Sequence, residues 1–172
     1  MANKSVELIK SRVSCREYSD KKVSLKKALE IAEAGKFAPS GMNRQICQIF
    51  VINSKSKVEK LRTLSIKLMG RDCMYGAKTI LLVGGPRGDR FTDLDGSCVL
   101  ENLFLAAHAL KINTCWINQF DELFQDKDGL KVKKALGIPE DFRIVGSCIL
   151  GYAKNPDTLK VKPRKEDFIV VK

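Results

Sequence analysis

Histidine and tryptophan occur once each in this chain of 172 residues, as His108 and Trp116, and the six cysteines never form a Cys-x-x-Cys pair. Those scarcities exclude whole classes of chemistry. A zinc site or an iron–sulfur cluster needs several imidazoles or closely spaced thiolates, and Cys15, Cys47, Cys73, Cys98, Cys115 and Cys148 are scattered too widely to supply them. The thiols read instead as reduced, small core residues. Long apolar runs are also missing: nothing approaches the roughly eighteen uncharged residues that a membrane span requires. The opening "MANKSVELIK" lacks the continuous apolar stretch of a secretory signal, so a cytoplasmic protein is the expectation. No repeat, low-complexity tract or Gly/Ser linker divides the chain, which predicts a single domain over residues 1–172.

What is present is positive charge. Lysine and arginine outnumber the acids to give a formal +11, beside an ordinary 44% hydrophobic content. Such a balance points to an anionic ligand: nucleic acid, a membrane surface or a phosphorylated cofactor. The basic residues alternate with acidic ones, as in "KSKVEKLR" and "KVKKALGIPED", rather than gathering in one arm, which weighs against nucleic acid.

Periodicity predicts a first helix over Val6 to Arg12. A second follows the N-cap Ser24, with Leu25, Ala28, Leu29, Ala32 and Gly35 as its inner stripe, and stops before Pro39. "QIFVIN" (Gln48 to Asn53) reads as a strand. Lys57 to Leu68 reads as a helix with Val58, Leu61, Ser65 and Leu68 inward, and "KTILLVGG" (Lys78 to Gly85) as a buried strand running into a turn. Apolar residues nearly encircle the helix expected from Asp95 to Leu110, and a helix without a wet face must be covered on every side. A partner subunit is the expected cover. A strand at Asn113 to Ile117, a helix from Asp128 to Gly137 and a strand from Phe142 to Ala153 follow. The closing "EDFIVVK" has strand character behind a polar stretch, and a strand so detached could add to a neighbour's sheet.

Four short stretches carry candidate chemistry. In "SRVSCREY", Arg12 and Arg16 at i, i+4 would present forked donors to a phosphomonoester, with the Ser14 hydroxyl beside them; a solvated basic turn has the same spacing. "APSGMNRQ" ends the second helix and brings Pro39, Ser40, Asn43 and Gln45 to a loop suited to a heterocycle's polar edge, as an ordinary terminating loop also would. "NTCWINQF" carries the only tryptophan out of a strand, where backbone N–H groups could meet a planar ring or Trp116 could simply pack. "KPRKE", from Lys162, reads alone as a charged tail. His108 reads as a satisfied core or interface residue and Cys115 as core packing. "GGPRG" lacks the features of a phosphate-binding loop and reads as a turn.

Taken in order, "SRxSxREY", "APSGxNxQ", "LENLxLAAHALxxxTCWI", "LGIPEDFRIVGSCILGYA" and "KPRKE" resemble the nitroreductase family of FMN-dependent oxidoreductases, over about Ile9 to Arg164. The resemblance implies an α+β fold, a mixed, mainly antiparallel sheet flanked by helices, in a homodimer with an exchanged C-terminal strand and FMN at the subunit interface. It implies that Arg12, Val13, Ser14 and Arg16 lie at the flavin, the charged and hydroxyl groups gripping its phosphate and ribityl chain, with Arg164 closing on the phosphate. Pro39, Ser40 and Asn43 would reach the flavin from the other subunit, and Trp116, Ile117, Asn118 and Gln119 would lie along its ring. NADH or NADPH would be the electron donor, and a nitroaromatic, quinone or similar small molecule the acceptor. No side chain is expected as acid or base, since the cofactor carries the chemistry. The chain departs from the family pattern at Ile46 and Cys47, in place of a frequent Pro-Trp, at Val13, at Lys111 in place of a common glycine, and at Asn118-Gln119. Too short for an inserted lid, it should have an open site. A reductive dehalogenase-like relative, a flavin-binding module with little turnover and a nucleic-acid binder are the competing readings.

Overall fold

The computed structural model describes residues 3–172. Its centre is a four-stranded antiparallel sheet in the order β1-β2-β4-β3, formed by β1 (Gln48–Ile52), β2 (Thr79–Pro86), β3 (Asn113–Ile117) and β4 (Phe142–Gly151). The α+β class and the mainly antiparallel sheet are as the resemblance implied. The parallel component is one bridge, Ser14 to Thr114, outside the named strands.

Strand alternation splits the interior into two layers. Ile80 and Leu82 of β2 face one hydrophobic cluster with Val58, Leu61 and Leu64, while Leu81 and Val83 face the other with Ile31, Leu100 and Leu103. The first layer is covered by α3 (Lys55–Met69), the short α5 (Phe120–Leu123) and α6 (Lys127–Ala135). The second is covered by α2 (Leu25–Gly35) and α4 (Thr92–Ala109), and α1 (Lys4–Ser11) leans on α4. In β4, Val145 and Cys148 join the same cluster although they are three apart, because the register slips between Val83 and Gly84 and leaves Val145 as the extra residue of a bulge.

Several expected boundaries move for local reasons. The first helix ends at Ser11, and Arg12 is already extended at φ −64, ψ 130, so the two arginines are not helical neighbours. Ser24 caps α2 as expected, its hydroxyl accepting from Lys27 N–H at 3.3 Å. The buried face of α2, however, is Ala28, Ile31 and Gly35, and Leu25 and Leu29 are half exposed. Leu64, not Leu68, completes the inner face of α3. The encircled helix has one uncovered side in the single chain, where Leu94, Cys98 and Glu101 are exposed. The final residues form a helical turn at Glu166–Phe168 and no strand, and Phe168, Ile169, Val170 and Val171 are at least 72% exposed. Among the described residues, no helix is long and apolar enough to cross a membrane and no His/Cys/Asp/Glu cluster is placed to hold a metal.

Candidate functional site

From Arg12 onward the chain runs extended beside β3: Ser14 bridges Thr114, and Cys15 N–H donates to the Thr114 carbonyl at 2.8 Å. Alternation then sends Cys15 into the core and leaves Arg12, Ser14 and Arg16 on the outside. These three, with Val13, line a cleft of about 240 Å³ whose other wall is Lys160, Lys162 and Arg164. Five cations and one hydroxyl thus converge, and no carboxylate lines the space. Among the described residues none of the five forms an ion pair, whereas the ion pairs that do form engage other lysines and arginines. Fixed charge gathered without a counterion is costly unless an anion neutralises it, and guanidinium groups suit the oxygens of a phosphomonoester. This donor set fits the phosphate end of FMN.

The floor beside that cleft is aromatic. The guanidinium carbon of Arg12 lies 5.8 Å from the centroid of the Phe104 ring, within cation–π range, and the Trp116 ring lies 5.8 Å from the same ring. Trp116 is 38% exposed, so it is not core, and Gly146 on β4 leaves room beneath it. Past Trp116, Ile117 is buried and its carbonyl accepts from the Ser147 hydroxyl at 3.0 Å. Asn118 N–H donates to the Gln119 side-chain oxygen at 3.1 Å. The extended Arg12–Arg16 segment and Arg164 therefore share a cleft, and the Trp116 ring adjoins it through Phe104.

Pro39, Ser40 and Asn43 do not join them. Their loop follows α2 at the other end of α4 and is tightly shaped: Met42, Asn43 and Gln45 all have positive φ. The Ser40 hydroxyl accepts from Gln45 N–H at 3.2 Å, the Asn43 side chain accepts from Gln45 at 2.9 Å, and Gly41 N–H donates to Asp95 at 2.9 Å. Pro39, Ser40, Ile46, Cys47 and Asp95 border a separate cleft of about 230 Å³. Burial, with Asp95, Asp93 and Asp89 nearby, pushes the Cys47 thiol up to about 11, so it is protonated near neutral pH and is no nucleophile. Asp95 anchors Gly41, while Phe104 and Ser11-bonded His108 mark the cationic cleft. Asp95 and His108 stand about 20 Å apart along α4 at 1.5 Å per residue.

Sequence reasoning gave a role to Arg164, held Lys162 only as part of a charged tail and passed over Lys160, and both lysines share the arginine's cleft. Their signal was the alternation in "LKVKPR", which puts three cations on one side of an extended segment. It also passed over Phe104, which sits in an apolar helix and gives no polar cue.

The sequence model described as the Nitroreductase family matches residues 9–70 and 61–152, and the chain belongs to that family. A crystal structure of a nitroreductase from Bacteroides fragilis with bound FMN is similar at 30% identity, covering 99% of both chains with a TM-score of 0.90. A nitroreductase with bound FMN from Desulfitobacterium hafniense is similar at 25% identity over 100% of both chains, with a TM-score of 0.87. A protein of Archaeoglobus fulgidus bearing the provisional name NADH dehydrogenase/NAD(P)H nitroreductase is 26% identical over 155 residues, which is 87% of this chain and 86% of that one.

Proposed function

We propose that this protein is an FMN-dependent oxidoreductase that draws reducing equivalents from NAD(P)H and delivers them to a nitroaromatic, quinone or similar acceptor, as a homodimer. The observation that carries this reading is the cleft in which Arg12, Arg16, Lys160, Lys162 and Arg164 meet without a counterion. Arg12, Arg16 and Arg164 would hold the phosphate through forked donors, the two lysines would add charge, and the Ser14 hydroxyl would meet the neighbouring chain of the cofactor. Trp116 and the backbone of Ile117, Asn118 and Gln119 would flank the ring. When bound, FMN supplies the hydride and electron chemistry, and the protein supplies position and electrostatics. Backbone N–H groups beside the ring would lower the free energy of any negative charge that develops there.

The homodimer reading rests on the separation of the two clefts. Pro39, Ser40 and Asn43 lie too far along α4 to meet their own chain's cationic cleft, and a second copy related by a two-fold axis would bring them to it. The uncovered side of α4 and the exposed Phe168–Val171 tail supply apolar surface for such a contact.

Purified protein should be yellow, should bleach on anaerobic addition of NADH or NADPH, and should recover its colour with a quinone. A colourless protein that takes up no FMN would overturn the assignment, and a yellow protein that never bleaches would leave only a flavin-binding module. Arg16→Ala should weaken FMN retention by about one to two orders of magnitude, the worth of a charged hydrogen bond. Unchanged flavin content in that variant would remove Arg16 from the site.

A further inference from the structure

We infer that His108 and Phe104 are positioning residues for Arg12, a pair of props on one face of α4 that fixes where the guanidinium sits. The inference rests on the reading of Arg12 as a cofactor-phosphate contact. Phe104 and His108 are four apart in α4 and so share a face, and they meet two consecutive residues of the neighbouring segment. His108 Nε2 lies 2.8 Å from the Ser11 hydroxyl, and the Phe104 ring lies under the guanidinium of Arg12.

The need for props is visible in α1. It has only eight residues and none of them is buried, so little apolar packing fixes its end. That end is where Arg12 begins. An arginine side chain loses much rotamer freedom when it is fixed, and a wandering anchor point would add to the cost of every phosphate contact.

The chemistry of the His108 contact is determined by counting protons. The Ser11 hydroxyl has one hydrogen and donates it to the Leu8 carbonyl at 3.0 Å. Its lone pair is what faces His108, so Nε2 carries the proton and donates. Burial, with the charge of Arg12 adding to it, holds His108 below its ordinary value and keeps the ring neutral near pH 7, which leaves Nδ1 without a proton. A neutral donor steadies Ser11 without placing a like charge beside Arg12.

The test is a mutant cycle on full-length holoprotein, reading the FMN dissociation constant from the fluorescence released on dilution. His108→Ala should weaken FMN about fivefold to tenfold, the value of one neutral hydrogen bond and the order it imposes. His108→Gln, whose amide can donate from nearly the same place, should recover most of that loss. In an Arg12→Ala background, His108→Ala should cost nothing further, because its effect passes through Arg12. Phe104→Leu keeps the core apolar, should weaken FMN alone, and should also be silent when Arg12 is gone. If His108→Ala does not fold, the Phe104→Leu cycle decides the matter alone. Equal losses in both backgrounds, or no loss in the native one, would overturn the positioning role. An Arg12→Ala variant with unaltered FMN affinity would instead overturn the cofactor reading on which it stands.

Discussion

Replacing Lys111 by glycine should leave the protein more stable than replacing it by alanine, although nothing in the side chain's contacts suggests it. Lys111 follows the last residues of α4 at φ 57, in the left-handed region. Its N–H donates to the His108 carbonyl at 3.0 Å, and Ile112 N–H reaches back to Ala107 at 2.8 Å. These are the paired bonds that close a helix through a left-handed residue, and glycine is the usual occupant of that position. A residue with a Cβ pays about 1–2 kcal/mol there. Against that relief stand two costs. Glycine raises the entropy of the unfolded chain, worth about 0.4–1 kcal/mol, and the variant loses a cation near a helix C-terminus, worth about 0.3–1 kcal/mol at low ionic strength. Comparing Lys111→Gly with Lys111→Ala removes the charge from the difference, since both variants lack it. Glycine should then exceed alanine by about 0.5–1 kcal/mol, which for a chain of this size is about 1–4 °C in melting temperature. Urea unfolding of both variants at one protein concentration and moderate salt would measure it. Equal midpoints, or an earlier one for glycine, would refute the left-handed assignment at residue 111.

Two substitutions probe other parts of the same framework. Gly146→Ala would place a methyl group about 2.8 Å from the indole of Trp116; the ring must tilt, and the single-tryptophan emission should shift while stability falls by about 1–3 kcal/mol. An unmoved spectrum would mean that the indole does not rest on Gly146. Lys133, although a lysine, is only 5% exposed and donates to the Glu140 and Phe142 carbonyls at 2.7 and 2.6 Å. Lys133→Met removes both donors at similar length and should destabilise by about 2–4 kcal/mol in denaturant unfolding, since two carbonyls are left unpaired. An unchanged midpoint would show that water replaces the ammonium freely.

The sheet was legible because β2 and β4 are mostly apolar and rich in isoleucine, leucine and valine, as strands buried on both faces need. The inner face of α2 was legible only in part: Ala28 and Gly35 are buried as expected, with Ile31 in place of the leucines. Hydropathy favours Leu25 and Leu29, yet α2 sits so close to its neighbours that a Cβ on Gly35 would come within 2.7 Å of Ile49 and 2.8 Å of Leu103. Close approach selects alanine and glycine for the contact and leaves the leucines outside. The four-residue α5 was missed because it starts directly from the β3 exit with no side-chain cap. In the cleft, Arg12 and Arg16 were read from their i, i+4 spacing as presenting donors from one side, and the extended chain places both at one cleft. A spacing of four shares a side under both periods, whereas a spacing of two does so only on an extended chain, where Ser14 joins the two arginines.

The same alternation gathers part of a large net charge in one cleft. Arg12, Ser14 and Arg16 on one extended segment, and Lys160, Lys162 and Arg164 on another, each repeat at every second residue, so each segment turns all its donors to one side. Neither triplet is selective alone, because a single charged edge is solvated and mobile. Set opposite each other they leave a gap bounded by cations on both walls, with carboxylates excluded by sequence rather than by chance of folding. Position then falls to α4, whose one end ties down Gly41 through Asp95 and whose other end props Arg12 through Phe104 and Ser11 through His108. A straight helix has a fixed length, so the distance between the two halves of the proposed site is set by a rod and not by loops. In a two-fold pair of such chains, each rod would present its Asp95 end to the partner's Arg12 end, which yields two equivalent sites from one spacing.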